Sequence, residues 1–247
     1  MSATKRGGKR SPADDYPTPD FCTRRIVETL DLPKGRWYEP CAGEGAIIHA
    51  VEDKISGLTW FANEPRLEAM SFLCELVSED RITRSDYLRL DACPNDVSVV
   101  ITNPPFRIAE GVIHKTLSVF PRAHVVLLLR LEFIAPASKN NYRHNLMTTY
   151  APDIYVLPNR PGFREDTGKR AAKKGSTDSS EYAWLHWKPA PRARRSGKCM
   201  ILPLTPLAER KRSAALVAQI VRSQSAIRDG ESGLVLCGSS SSSRVPG

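Results

Sequence analysis

The feature that most restricts the fold is a run of five residues, Val97-Ser98-Val99-Val100-Ile101, apolar almost without interruption, that stops abruptly at Thr102-Asn103-Pro104-Pro105-Phe106. A strand with one wet face alternates apolar and polar side chains, so a run without alternation is buried on both faces. That is the pattern of a parallel strand covered by helices above and below, and it predicts an α/β protein. Two consecutive prolines close the strand, fixing φ at about −65° and removing two N–H donors. The backbone there offers only acceptors, and the Asn103 amide oxygen and the Pro104 carbonyl are held close together. Two such acceptors can take both hydrogens of a planar amino group and turn its lone pair towards an electrophile, while Phe106 supplies a ring face for a flat substrate. The same residues also suit a proline-terminated strand with Phe106 in the core.

Around this strand, strand and helix patterns alternate. Thr18 can cap a helix that Pro19 opens, with Phe21, Ile26, Val27 and Leu30 as its apolar stripe and Pro33 and Gly35 as its end. Arg36 to Glu39 reads as a strand, Glu39-Pro40-Cys41-Ala42-Gly43-Glu44-Gly45 as a turn, and Ala46 to about Val51 as a helix. Gly43 and Gly45 permit positive φ and close approach of a ligand, and Glu39 sits at the carboxyl end of its strand, where α/β sheets bind nucleosides; ordinary strand-to-helix turns use the same glycines. Leu58 to Asn63 is the next strand, and Glu64 falls 19 residues after Gly45, where a ribose-binding acid is expected. Arg66 to Val77 reads as an amphipathic helix with Leu67, Met70, Leu73, Leu76 and Val77 on its core face.

Ile82 opens a short strand ending near Asp86-Tyr87. Asp86 can accept from an adenine amino group, with Tyr87 or Leu88 against the ring, or it can cap a turn. A helix follows from about Ala109 to Leu117, then the most hydrophobic strand, Val125 to Leu131, a short helix from Lys139 to Thr148, and strands Ile154 to Pro158 and Tyr182 to Trp187. Trp184 and Trp187 read as core, His186 has no identifiable partner, and Phe163 either borders a pocket or anchors its loop.

A chain of 247 residues, 41% hydrophobic, can bury one substantial core. The organisation read from it is a disordered basic arm over 1–15, one domain over 16–204 with a basic loop at 162–180, a basic helix over 205–229, and a flexible Ser-rich tail over 230–247. Formal charge is +9, and the excess is clustered at Lys5, Arg6, Lys9 and Arg10, at Lys169, Arg170, Lys173 and Lys174, at Arg192, Arg194, Arg195 and Lys198, and at Arg210, Lys211 and Arg212. One such cluster is commonly a solvated tail; four around a single core suit a polyanion. The 6 cysteines and 5 histidines are scattered without a C-x-x-C pair, so neither a disulfide framework nor a metal site is expected. Nothing approaches the roughly 20 apolar residues of a membrane span, and Met1 to Asp15 lacks an apolar targeting core. A cytoplasmic protein is expected.

Taken together, the entry at Tyr16, Pro17, Thr18 and Pro19, then Glu39-Pro40-Cys41-Ala42-Gly43-Glu44-Gly45, Glu64, Asp86 and Asn103-Pro104-Pro105-Phe106, in this order and at these strand ends, resemble the adenine-N6 DNA methyltransferases over roughly residues 15–187. The resemblance implies a class I, Rossmann-like, seven-stranded and mostly parallel sheet with helices on both faces. It implies S-adenosylmethionine as cofactor, its methionine near Tyr16, Thr18, Pro19 and the turn containing Glu39, Pro40, Cys41, Gly43 and Gly45, its ribose on Glu64, and its adenine at Asp86 and Tyr87. Asn103, Pro104, Pro105 and Phe106 would form the catalytic element, with Asn103 also bordering the cofactor. Only 162–180 and the segment after Pro189 are available for target recognition, which implies a short or relaxed target, as in small phage- or prophage-type enzymes of a bacterial cell or phage-infected host. Methylation of an amino group in RNA is the nearest alternative; a protein glutamine substrate, or a non-catalytic nucleic-acid-binding protein of the same fold, are others.

Overall fold

The computed structural model describes residues 17–135, 142–158, 161, 180–189, 197–206, 208–212 and 215. The expected arm over 1–15, Tyr16, most of the 162–180 loop, most of the 205–229 helix and the 230–247 tail lie outside these residues. The described strands are β1 (Arg36–Glu39), β2 (Thr59–Asn63), β3 (Ile82–Thr83), β4 (Val97–Thr102), β5 (His124–Arg130), β6 (Asp153–Val156), β7 (Tyr182–Trp187) and β8 (Cys199–Ile201). They form one sheet in the order β3-β2-β1-β4-β5-β7-β6-β8. Neighbours from β3 through β5 pair in parallel, β7 lies antiparallel between β5 and β6, and β8 pairs parallel with β6.

The helices are α1 (Asp20–Thr29), α2 (Ala46–Glu52), α3 (Met70–Leu76), α4 (Ala109–Val119) and α5 (Tyr142–Thr149). Because successive strand residues point to opposite faces, β4 sends Val99 to one core and Val100 to the other. Val99 and Trp37 pack with Ile26 of α1, Ile48 of α2 and Leu73 of α3, whereas Val100 and Tyr38 pack with Val112 of α4 and Leu146 of α5. Each fully buried aliphatic side chain of this kind contributes about 1.5–3 kcal/mol, which is what makes the continuous apolar run of β4 a central strand.

Four expectations are corrected. Pro19, at φ −59° and ψ 133°, is the N-cap of α1, and the Thr18 side chain does not cap it. Instead of one helix from Arg66 to Val77, a 3₁₀ turn at Leu67–Ala69 precedes α3. The tighter turn rotates Leu67 off the apolar stripe, leaving it 64% exposed. The β3 strand stops at Thr83, because Asp86 starts a 3₁₀ turn, Tyr87–Arg89. The sheet has an eighth strand, β8, whose three residues are exposed and therefore carry no burial pattern. Among the described residues no helix is long and apolar enough to cross a membrane.

Candidate active site

The strand order reverses at β1: from it the chain runs outward to β2 and β3, then returns to place β4 on its other side. Crevices at such a switch point, beyond the carboxyl ends of the strands, are where open α/β sheets hold ligands. The turns after β1 and after β4, which carry Glu39 to Gly45 and Asn103 to Phe106, therefore end side by side.

The first turn is fixed by its neighbours. Gly43 and Gly45 adopt φ +55° and +83°, and Gly45 is the left-handed N-cap of α2. Ala42 N–H donates to the Asn63 carbonyl at 3.0 Å. Asn63, fully buried at the end of β2, donates through Nδ2 to the carbonyls of Pro40 and Ser85, both at 3.0 Å, and so ties the loops after β1 and β3 together. Glu64 follows it, and its Oε2 accepts from Gly43 N–H at 2.8 Å. Its Oε1 accepts from Arg66 N–H at 3.1 Å and from Arg66 Nε at 2.7 Å.

Glu39 is buried, and its Oε2 has no partner among the described residues. Burial first, and then the charge of Glu64, push its carboxyl well above the usual carboxylate range, against the pull of a backbone hydrogen bond from Ile48. Glu64 is raised as well, chiefly by burial, despite the hydrogen bonds from Arg66 and Gly43. Cys41 is half-buried and its thiol is pushed up by burial and by both acids; its carbonyl accepts from Thr102 Oγ1 at 3.4 Å.

The second turn holds the acceptors. Asn103 Nδ2 donates to Thr18 Oγ1 at 3.0 Å, across 85 residues of chain. Its Oδ1 is buried and has no partner among the described residues. The Pro105 carbonyl accepts from Ile108 N–H at 3.0 Å and the Phe106 carbonyl from Ala109 N–H at 3.5 Å, which commits both to the start of α4. The Pro104 carbonyl takes no such bond among the described residues. Phe106 is half-buried, with its ring 5.8 Å from that of Tyr182 and the Arg130 guanidinium 4.6 Å over its centroid.

The turn after β3 divides the two readings of Asp86 and Tyr87. Asp86 is exposed and caps its turn, accepting from Leu88 N–H at 3.0 Å, yet it faces solvent at the strand ends. Tyr87 is corrected to a core residue: it is buried, its ring packs against Tyr38 at 6.1 Å, and its hydroxyl lies 3.0 Å from Thr116 Oγ1. The 3₁₀ turn points its side chain under the sheet while Asp86 and Leu88 stay outside.

Sequence reading missed Asn63, Arg66 and Arg130, as well as the tie from Thr18 to Asn103. A polar residue ending an otherwise buried strand signals Asn63, whereas the other three depend on contacts between distant segments or on a side chain folding back across its own turn.

No family model matches the chain, and no curated protein matches its sequence. Among solved structures, the "predicted O-methyltransferase" Atu636 from Agrobacterium tumefaciens superposes with a TM-score of 0.53 at 18% identity, covering 79% of this chain and 96% of that one. The "modification subunit of a putative type I restriction enzyme" from Vibrio vulnificus YJ016 superposes with a TM-score of 0.50 at 18% identity over 75% of this chain. The match covers 45% of that subunit, so the chain spans less than half its length. At these identities the likeness establishes the fold, which is the class I, Rossmann-like methyltransferase fold.

Proposed function

We propose that the chain transfers a methyl group from S-adenosylmethionine to the N6 amino group of adenine in DNA. The observation that carries this reading is Asn103: its amide nitrogen is committed to Thr18, and its buried oxygen has no partner among the described residues, immediately beyond β4 at the switch point of the sheet. Burying an acceptor with nothing to accept costs about 1–3 kcal/mol, and a substrate that brings two N–H donors removes that cost.

The residues of the first turn fit the cofactor. S-adenosylmethionine carries an ammonium and a sulfonium, and when bound it supplies a methyl group already activated for transfer. Glu39, buried with an oxygen that has no partner among the described residues, and Glu64 would hold its cationic end and its ribose hydroxyls. The exposed carboxylate of Asp86 would accept from its adenine amino group.

With donor and acceptor in place, the chain's task is alignment. Asn103 Oδ1 and the Pro104 carbonyl accept the two amino hydrogens and turn the nitrogen lone pair out of the ring; fixed orientation of this kind can lower a barrier by several kcal/mol. Phe106 supports the flat base. An adenine paired in a duplex cannot reach these groups, so it is flipped out at a cost of a few kcal/mol or is already single-stranded. The +9 charge, clustered in basic runs, supports a polyanionic substrate.

The test is incubation with methyl-labelled S-adenosylmethionine and, separately, DNA, RNA and protein, followed by digestion and identification of the product. The reading expects N6-methyl-2′-deoxyadenosine. Label found in RNA or protein, or none transferred, overturns it.

A further inference from the structure

Phe106, the proposed support for the target base, is already covered. The Arg130 guanidinium lies 4.6 Å over its centroid, and Tyr182 packs at 5.8 Å with its ring tilted by 38°. Arg130 and Tyr182 are register partners at the end of β5 and the start of β7, so their backbones are fixed side by side. Their surroundings differ. Tyr182 is buried in the core, whereas the Arg130 side chain is 27% exposed, so of these two neighbours of the Phe106 ring it is the guanidinium's residue that reaches solvent. Glu132 Oε1 lies 3.6 Å from Arg130 Nη1 and is largely exposed, a pair that solvent screens.

A guanidinium is flat and cationic. It stacks on an aromatic face as a nucleobase does, and it also binds phosphate through paired, parallel N–H groups. We infer that Arg130 occupies the target base's place on Phe106 and yields it to a nucleotide whose phosphate takes up the guanidinium, so that the site admits polynucleotide and disfavours free nucleoside. The inference rests on the methyl-transfer reading above. Displacing the guanidinium forfeits a cation–π contact, which for a free nucleoside is an uncompensated loss of about two- to thirtyfold in binding. With a phosphate present, a charge-assisted contact worth about ten- to hundredfold replaces it.

The test compares full-length wild type with Arg130→Ala, using labelled S-adenosylmethionine and two acceptors: a single-stranded oligonucleotide with one adenine, and 2′-deoxyadenosine. Arg130→Ala is expected to lower kcat/KM on the oligonucleotide about ten- to hundredfold and to raise it on the nucleoside about two- to thirtyfold. Arg130→Met, which keeps the apolar stem, replaces Arg130→Ala should the latter not fold and carries the same expectation. An unchanged ratio between the acceptors, or an equal fall on both, marks Arg130 as packing only and overturns the inference while leaving the functional reading intact. A folded wild type that methylates neither these acceptors nor duplex DNA overturns both.

Discussion

Replacing Thr18 by Val tests whether the Thr18 hydroxyl orients the Asn103 amide. The two side chains have nearly the same shape, so α1 and its surroundings keep their packing while the acceptor 3.0 Å from Asn103 Nδ2 is lost. That nitrogen is then left without its partner, at a cost of about 1–3 kcal/mol, which the amide relieves by turning away from its present rotamer or by exchanging its two ends. Either move takes the acceptor oxygen from its place or puts a donor there. If the present arrangement becomes the minority state by that margin, the rate of methyl transfer falls about 5- to 150-fold. The assay is single-turnover transfer to adenine-containing DNA, with affinity for S-adenosylmethionine measured in parallel. The fall is expected in kcat, with cofactor affinity changed little, and Thr18→Ser is expected to restore the rate. Asn103→Asp, whose two oxygens are equivalent, is expected to make the reaction much less sensitive to Thr18→Val. An unaltered kcat in Thr18→Val refutes the positioning role, and a loss confined to cofactor affinity makes Thr18 a cofactor contact instead.

Other outcomes follow from the same geometry. Phe106→Ala is expected to slow transfer more than Phe106→Tyr or Phe106→Trp, because base support needs a ring; equal rates for Ala and Tyr in a methyl-transfer assay would remove Phe106 from that role. Glu39 is held protonated by burial, so the folded chain keeps a proton that the unfolded chain releases near the ordinary glutamate value of 4.5. Its contribution to stability is complete below that pH and declines as pH rises towards the folded value. Glu39→Gln should flatten part of this decline in thermal unfolding between about pH 5 and 8, the remainder belonging to Glu64, which is also raised. A cationic ligand favours the ionised form, so S-adenosylmethionine binding should strengthen with pH and release a proton, measured by calorimetry in two buffers; pH-independent binding contradicts the placement. Gly45→Ala puts a side chain at φ +83° with its Cβ 2.6 Å from Leu76 Cδ1, and a loss of about 1–3 kcal/mol in stability is expected. An unchanged melting temperature would show that this turn yields.

The sheet was legible where burial leaves a continuous mark. β7, buried along its length, and the short β1 match their sequence runs residue for residue, and β4, buried except at Ser98, extends its run only by Thr102. The glycine turn, Glu64 and the Asn-Pro-Pro-Phe element could be placed for the same reason, since each sits immediately beyond such a strand. Features set by local geometry were not legible. The 3₁₀ turns before α3 and after β3 change the period of the side chains, which exposes Leu67 and buries Tyr87, the reverse of the roles their spacing suggests. Contacts between distant segments left no sequence mark at all: Thr18 has a helix-capping residue's position, and only the fold reveals that its hydroxyl receives Asn103 instead. Arg130 likewise falls inside the run read as a strand from Val125 to Leu131, and only the fold ends that strand at Arg130 and sets its guanidinium over Phe106.

The central claim is that Asn103 acts on the acceptor amine and not on the cofactor. It is tested most directly by measuring, for Asn103→Ala beside the wild type, both binding of S-adenosylmethionine and methyl transfer to adenine in DNA. Loss of one acceptor aimed at the reacting group predicts a fall in transfer of about 10²–10³-fold with cofactor binding retained, because Glu39, Glu64 and Asp86 are untouched. Equal loss of binding and transfer, or transfer at the wild-type rate, would contradict it.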